Sequence, residues 1–127
     1  MIMKYKNILQ IDDDCDDCDF FKEALREISN SVYTALHNPV EALKKLVNKE
    51  IEPDIIFLDI NMPVMSGLEL FEEIKKNTEI QSIPIIIFST ASVEANEVMN
   101  KKMNLKDFYH TKPSNFNELK NLLKKIL

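Results

Sequence analysis

Short apolar segments alternate along this chain with segments whose apolar residues recur at helical spacing. Five stretches have the apolar character of strands: residues 6–11, 32–36, 54–59, 83–88 and 107–111. Each is followed by apolar residues three or four positions apart, a pattern typical of amphipathic helices. These helices are predicted at about 14–29, at 38–49, from residue 67 onward, at about 93–103 and after residue 114.

Five β-α pairs predict a parallel sheet with helices on both faces and right-handed crossovers. The unbroken run Ile55-Ile56-Phe57-Leu58 favours a strand that is covered on both sides. At 127 residues, the chain fits one domain. We expect an α/β fold with a doubly wound five-stranded sheet in the order 2-1-3-4-5, and a single domain over 1–127 without an output domain.

Local signals mark several helix starts. Asn38 followed by Pro39 predicts a capped helix with proline in its first turn. Ser92 and Ser114 are the predicted caps of the last two helices. Gln10, inside the first strand, needs a hydrogen-bond partner if it is buried.

Charge is spread unevenly over a chain whose net charge is −5. Residues 101–127 carry seven basic and two acidic side chains, which indicates either solvated helix faces or a surface for an acidic protein partner. The negative total and the lack of a recognised motif argue against nucleic-acid binding. The longest apolar stretch, 83–88, is far shorter than the ~20 residues that span a bilayer, and no signal peptide is evident, so we expect a cytoplasmic protein without a membrane partner.

Six aspartates lie between residues 12 and 19, directly after the first strand. Neighbouring carboxylates repel one another unless solvent or a cation offsets the repulsion. The position predicts a metal site, because open α/β sheets bind ligands at the carboxyl ends of their strands.

The ends of the other strands supply further polar groups. The residues that gather at this edge are Asp12, Asp13, Asp59, Ser89, Thr90 and Lys112. Oxygen ligands alone favour Mg²⁺ or Mn²⁺. A lysine and a hydroxyl can hold phosphate oxygens, and an aspartate beside the cation is a competent nucleophile that forms an acyl phosphate.

Four motifs, in this order, resemble those of response regulator receiver domains, which are CheY-like proteins of two-component signalling. They are Ile11-Asp12-Asp13-Asp14, Leu58-Asp59-Ile60-Asn61-Met62-Pro63 with Gly67, Phe88-Ser89-Thr90 and Tyr109-His110-Thr111-Lys112-Pro113. The resemblance covers the whole chain and is strongest to stand-alone, single-domain receivers, including those paired with phytochrome-type kinases.

The resemblance implies a role for each site residue. Asp59 is the phosphoacceptor, and Lys112 pairs with its phosphoryl group. Asp13 binds Mg²⁺ directly and Asp12 binds it directly or through water, together with Asp59. Asn61 contributes its backbone carbonyl.

It also implies a conformational switch. Ser89 reaches for the phosphoryl oxygen, and the side-chain rotamer of Tyr109 follows. This change alters the surface formed by the fourth helix, the fifth strand and the fifth helix. The resemblance further implies that the Lys112-Pro113 bond is cis. The implied function is that of a single-domain response regulator, which assists its own phosphorylation and dephosphorylation but is not a conventional enzyme. Its partners are a sensor histidine kinase or histidine phosphotransfer protein, and a downstream protein or a second copy bound through that surface.

Three alternatives compete with this interpretation. A phosphatase of the haloacid dehalogenase type needs Asp-x-Asp, whereas this chain has Asp59-Ile60-Asn61. A degenerate receiver, acting only as an interaction module, would lack an acid or the lysine. A flavin-binding protein of the same fold would have a phosphate-binding loop after the first strand.

The remaining candidates have simpler interpretations. Cys15 and Cys18 form a C-x-x-C that we interpret as two unpaired thiols at a helix start. The acids after Asp13 are interpreted as helix-start residues that the macrodipole favours. The two histidines, His37 and His110, are assigned packing or surface roles.

Overall fold

The structure, a computed structural model, describes residues 5–89 and 109–127. Its strands are β1 (Asn7–Ile11), β2 (Val32–Leu36), β3 (Ile55–Leu58), β4 (Ile85–Ser89) and β5 (Tyr109–Thr111). The helices within the described residues are α1 (Cys15–Ile28), α2 (Pro39–Val47), α3 (Gly67–Lys76) and the C-terminal helix α4 (Phe116–Ile126). The helix predicted at 93–103 and its cap Ser92 lie outside the described residues.

All five strands are parallel and lie in the order β2-β1-β3-β4-β5, which confirms the predicted topology. Ile11 is in register with Leu58 of β3, and Ser89 with Thr111 of β5. The residues that follow these strands therefore meet at one edge of the sheet.

Apolar side chains cover both faces of the sheet. On one face, Ile56 and Leu58 pack with α2 and α3 through residues such as Leu46. On the other face, Ile55 and Phe57 pack with α1 and α4. All four β3 side chains are almost fully buried, as the unbroken apolar run predicts.

Side chains cap the helices at their first turns. Asn38 accepts hydrogen bonds from two backbone N–H groups of α2, as predicted. Asp14 caps α1 in the same way. The prediction that Ser114 caps the last helix is wrong, because Asn115 Oδ1 accepts hydrogen bonds from the N–H groups of Asn117 and Glu118 in the first turn of α4. The position next to the helix has the shorter reach to those groups.

The buried amide of Gln10 has its partner. The Tyr33 hydroxyl of β2 donates to Gln10 Oε1 at 2.6 Å, which satisfies a polar group inside the sheet and confirms the expected need.

Candidate functional site

Three carboxylates converge at the carboxyl edge of the sheet. One oxygen each of Asp12, Asp13 and Asp59 lies within 4.8 Å of the others. Asp12 directly follows β1 and Asp59 directly follows β3, and the Asp59 N–H donates to the Ile11 carbonyl at 3.0 Å. Parallel pairing of these two strands therefore sets the spacing of the two acids.

Burial differs among the three acids. Asp12 is 1% and Asp59 7% exposed, whereas Asp13 is exposed. The two buried carboxylates and the exposed one offer only oxygen atoms as ligands. A small, hard cation could reach them from the solvent on the side of Asp13. The residues present thus fit Mg²⁺ or Mn²⁺ rather than a metal that prefers sulfur or nitrogen.

Lys112 reaches this cluster from the end of β5. Its Nζ lies 2.5 Å from Asp12 Oδ2, 2.7 Å from Asp17 Oδ2 and 3.9 Å from Asp59 Oδ2. The ammonium therefore offsets part of the negative charge that the acids bring together.

The pKa values of Asp12 and Lys112 reflect their burial and their contact with each other. Burial raises the pKa of the Asp12 carboxyl to about 6, although hydrogen bonds from Lys112 and from the Asp14 N–H limit the rise. Burial also disfavours the Lys112 ammonium, but its hydrogen bonds to Asp12 and Asp17 outweigh that cost and raise the pKa of Lys112 above its usual value.

Sequence reasoning missed the contact between Asp17 and Lys112. Asp17 was interpreted only as a helix-start acid, yet its carboxylate holds the site lysine. No local signal pointed to this contact, because Asp17 and Lys112 lie 95 positions apart in the sequence.

The loop after Asp59 depends on glycine. A Cβ at Gly67 would lie 1.9 Å from the Asp59 carbonyl oxygen, so no larger residue fits against this backbone. The Gly67 N–H also donates to the Ile60 carbonyl at 2.8 Å. Asn61 lies in this loop and is exposed; its role as a carbonyl ligand stays a prediction.

For Ser89 and Tyr109, the structure gives the position of the backbone in the sheet. Ser89 is the last residue of β4, and Tyr109 is the first residue of β5. Their proposed side-chain roles stay predictions, and Thr90 lies outside the described residues.

The Lys112-Pro113 bond is trans, so the implied cis bond is wrong here. The two forms of an X-Pro bond differ by only about 1 kcal/mol, which leaves the choice to local context.

The family model for the response regulator receiver domain matches residues 8–124. The chain belongs to the response regulator receiver domain family. Receivers of this family act in two-component phosphorelay signalling, and the sheet order found here is the CheY-like one.

Solved response regulators have the same fold. The phosphorylated cyanobacterial phytochrome response regulator RcpA is 27% identical with a TM-score of 0.81, over 96% of this chain and 91% of that one. The Mn²⁺-bound form of Rcp1 is 26% identical with a TM-score of 0.78, over 95% and 91%. TrrA from Thermotoga maritima, in complex with Mg²⁺-BeF, is 34% identical with a TM-score of 0.75, over 96% and 99%.

Curated relatives are similar in sequence over part of their length. A protein-glutamate methylesterase/protein-glutamine glutaminase of Syntrophomonas wolfei is 32% identical over 81% of this chain, but the match spans 28% of that protein. Response regulator Rcp1 of Synechocystis is 31% identical over 53% of this chain and 45% of its own length. The chain thus spans less than two thirds of these relatives, and the methylesterase activity is not carried over by the match.

Among the described helices, none is both long enough and apolar enough to cross a membrane.

Proposed function

We propose that this receiver domain accepts a phosphoryl group on Asp59 from a histidine kinase or a histidine phosphotransfer protein, in a reaction that depends on Mg²⁺. One observation carries the proposal: Asp59 lies within 4.8 Å of two further carboxylates and 3.9 Å from the Lys112 ammonium. An acid at a sheet edge, next to a cation-binding set and a lysine, is arranged for phosphoryl transfer.

In this transfer an Asp59 oxygen attacks phosphorus while the bond from phosphorus to the donor histidine breaks. The product is an acyl phosphate on Asp59, and the electron pair of the broken bond stays on the imidazole nitrogen of the donor. Asp59 is 7% exposed, and this burial limits the access of water to the product.

Asp12, Asp13 and Asp59 would hold the cation, with the Asn61 carbonyl as a further ligand. When bound, Mg²⁺ neutralises negative charge on the phosphoryl oxygens. Mn²⁺ fits the same oxygen donors. The names of two similar structures, a Mg²⁺-BeF complex and a Mn²⁺-bound form, support this choice.

Lys112 would change partners during the reaction. Its ammonium now contacts Asp12 and Asp17, but a modest rotation of the side chain would bring it to a phosphoryl group on Asp59. A positive charge that is already beside the acceptor needs little reorganisation to stabilise the charge that develops there.

The signal would leave the site through Ser89 and Tyr109. We assign Ser89 to the phosphoryl oxygen and Tyr109 to the rotamer change that follows. The surface that we propose to change is formed by β5, α4 and the fourth helix that the sequence predicts, and it binds a downstream protein or a second copy of the chain. The receiver is a switch that assists its own phosphorylation rather than a conventional enzyme, and we propose that it works in the cytoplasm.

Incubation with acetyl phosphate and Mg²⁺, followed by intact-mass measurement, tests the proposal. The expected result is one base-labile phosphoryl group, which is absent from Asp59→Asn and absent when the cation is chelated. Asp16→Asn is the matched control, because Asp16 is an exposed acid near the site whose carboxylate is not part of the cluster. An adduct that persists in Asp59→Asn would contradict the assignment.

A further inference from the structure

Two free thiols lie in the first turns of α1, one exposed and one buried. Cys15 begins the helix and is open to solvent, while Cys18 is 3% exposed. Residues three apart are neighbours on a helix face, so the two sulfur atoms point to the same side.

His37, in the loop after β2, lies against both thiols. Its Nε2 is 4.0 Å from Cys15 Sγ, and its Nδ1 is 3.9 Å from Cys18 Sγ. Nδ1 also lies 2.9 Å from the Asp12 carbonyl oxygen. Since a carbonyl oxygen only accepts, Nδ1 carries the proton and donates a hydrogen bond to the backbone carbonyl of Asp12.

The same carbonyl connects the thiols to the acidic cluster. Cys18 Sγ lies 3.8 Å from it, so the thiol and the imidazole meet at the backbone of Asp12. None of these three side chains has a part in phosphoryl transfer as proposed above.

We propose that Cys15 and Cys18 are a redox modification site: a hydroperoxide converts them to an intramolecular disulfide, and the disulfide weakens cation binding by the acidic cluster. The second half rests on the proposed function, since it assumes that the acids bind a cation.

The chemistry proceeds in two balanced steps. The exposed Cys15 sulfur attacks one peroxide oxygen, the O–O bond breaks, and the thiol proton leaves with the departing oxygen as water or an alcohol. Cys15 is then a sulfenic acid. The Cys18 sulfur attacks the Cys15 sulfur, the S–O bond breaks, and the hydroxyl leaves as water with the Cys18 proton. Two thiols are oxidised by two electrons and one peroxide is reduced.

Disulfide formation must reshape the first turn of α1. Cβ atoms three residues apart in a helix are about 5–6 Å apart, whereas a disulfide needs about 3.5–4.5 Å. The hydrogen bond from the Cys18 N–H to the Asp14 carbonyl, 3.2 Å long, spans these positions and has to adjust when the disulfide forms.

That turn also supports the site. Asp14 caps it, and its Asp17 carboxylate holds Lys112. The disulfide tightens this turn and moves Cys18 away from the Asp12 carbonyl. It therefore changes the position of Asp12, a predicted cation ligand. Loss of such supporting contacts typically weakens metal binding by about 10- to 100-fold.

The test treats the reduced protein with hydrogen peroxide, alkylates the remaining thiols and measures intact mass. The expected product is monomeric, lighter by two hydrogen atoms and without alkyl groups. Cys18→Ser should stop at a sulfenic acid that dimedone traps, and Cys15→Ser should react far more slowly because its remaining thiol is buried. Alkylation of both thiols after peroxide, disulfide-linked dimers, or equal reaction of Cys15→Ser would overturn the modification site.

Mn²⁺ binding, followed by electron paramagnetic resonance, tests the coupling. Oxidised protein should bind roughly tenfold more weakly than reduced protein, and a dithiol reductant should restore the affinity. Cys15→Ser/Cys18→Ser, treated with peroxide, is the control for methionine oxidation and should keep its affinity. Equal affinities of the oxidised and reduced protein would overturn the coupling.

The two proposals fail separately. If the reduced protein with both cysteines in place neither binds Mn²⁺ nor accepts a phosphoryl group, the proposed function fails, whatever the thiols do. If it does both while the disulfide does not form, only the redox site fails.

Discussion

The Lys112 ammonium lies 2.5 Å from the Asp12 carboxylate. The lysine expected to meet a phosphoryl group is therefore paired with a residue expected to bind the cation. If Asp12 binds the cation as proposed, the lysine and the metal compete for the same buried carboxylate.

Lys112→Gln should have opposite effects on stability and on cation binding. Removing the lysine leaves Asp12 without its partner, and breaking a buried pair costs about 3 kcal/mol or more. Mg²⁺ should then bind roughly tenfold more tightly, a gain of about 1.4 kcal/mol, because its competitor is gone. Urea unfolding with and without Mg²⁺, together with calorimetric titration, measures both effects.

Lys120→Gln is the matched control for that variant. Its ammonium pairs with Glu27 at 3.2 Å, away from the acidic cluster, and such exposed pairs contribute about 1 kcal/mol or less. Unchanged Mg²⁺ affinity in both variants would contradict competition at Asp12.

Asp13→Ala should weaken Mg²⁺ binding by at least about tenfold, as expected when a charged ligand is lost. Asp16→Ala should leave it nearly unchanged. Both acids are exposed, but only Asp13 belongs to the carboxylate cluster. Calorimetric titration of the two variants decides, and equal losses would put the cation elsewhere in the aspartate run.

Mg²⁺ affinity should fall as pH drops from 7 to 5. Burial raises the pKa of Asp12 to about 6, so a proton occupies this carboxyl below that pH in the metal-free protein. The cation requires the carboxylate, and the apparent affinity falls by up to about tenfold per pH unit below the pKa. An acid of ordinary pKa would show no loss in this range, so a flat profile would contradict Asp12 as a ligand.

Gly67→Ala should lower both stability and the rate of phosphorylation. The added methyl would meet the Asp59 carbonyl oxygen at 1.9 Å, so the backbone of the acceptor must move. Overpacking of this kind costs about 1–3 kcal/mol. Urea unfolding and a phosphorylation time course measure the two effects.

Ser66→Ala is the control at the neighbouring position. It removes the hydroxyl that caps α3 and costs about 1 kcal/mol, but it leaves the Asp59 backbone in place. Comparable loss of phosphorylation in both variants would show that helix stability, rather than the close approach of Gly67, controls the acceptor.

The topology was predictable because its signals are local. Apolar runs and helical spacing separate strands from helices, and five β-α pairs of this length leave few arrangements of a parallel sheet. The burial of β3 and the need of Gln10 for a hydrogen-bond partner were predicted from the residues of single strands, and both are confirmed.

The errors concern positions where several local choices are similar in energy. Ser114 and Asn115 are both good capping residues, and the position of the first helical turn selects Asn115. The Lys112-Pro113 bond is trans, and the cis and trans forms of an X-Pro bond are likewise similar in energy.

The sequence by itself determined the order of the elements and which acids follow β1 and β3, because these depend on neighbours along the chain. Only the tertiary structure decided that Lys112 lies between Asp12 and Asp17, and that His37 lies against Cys15 and Cys18. These contacts join residues far apart in sequence, and their distances depend on how α1 and the β2-α2 loop pack at the edge of the sheet. No periodicity along the chain records that packing.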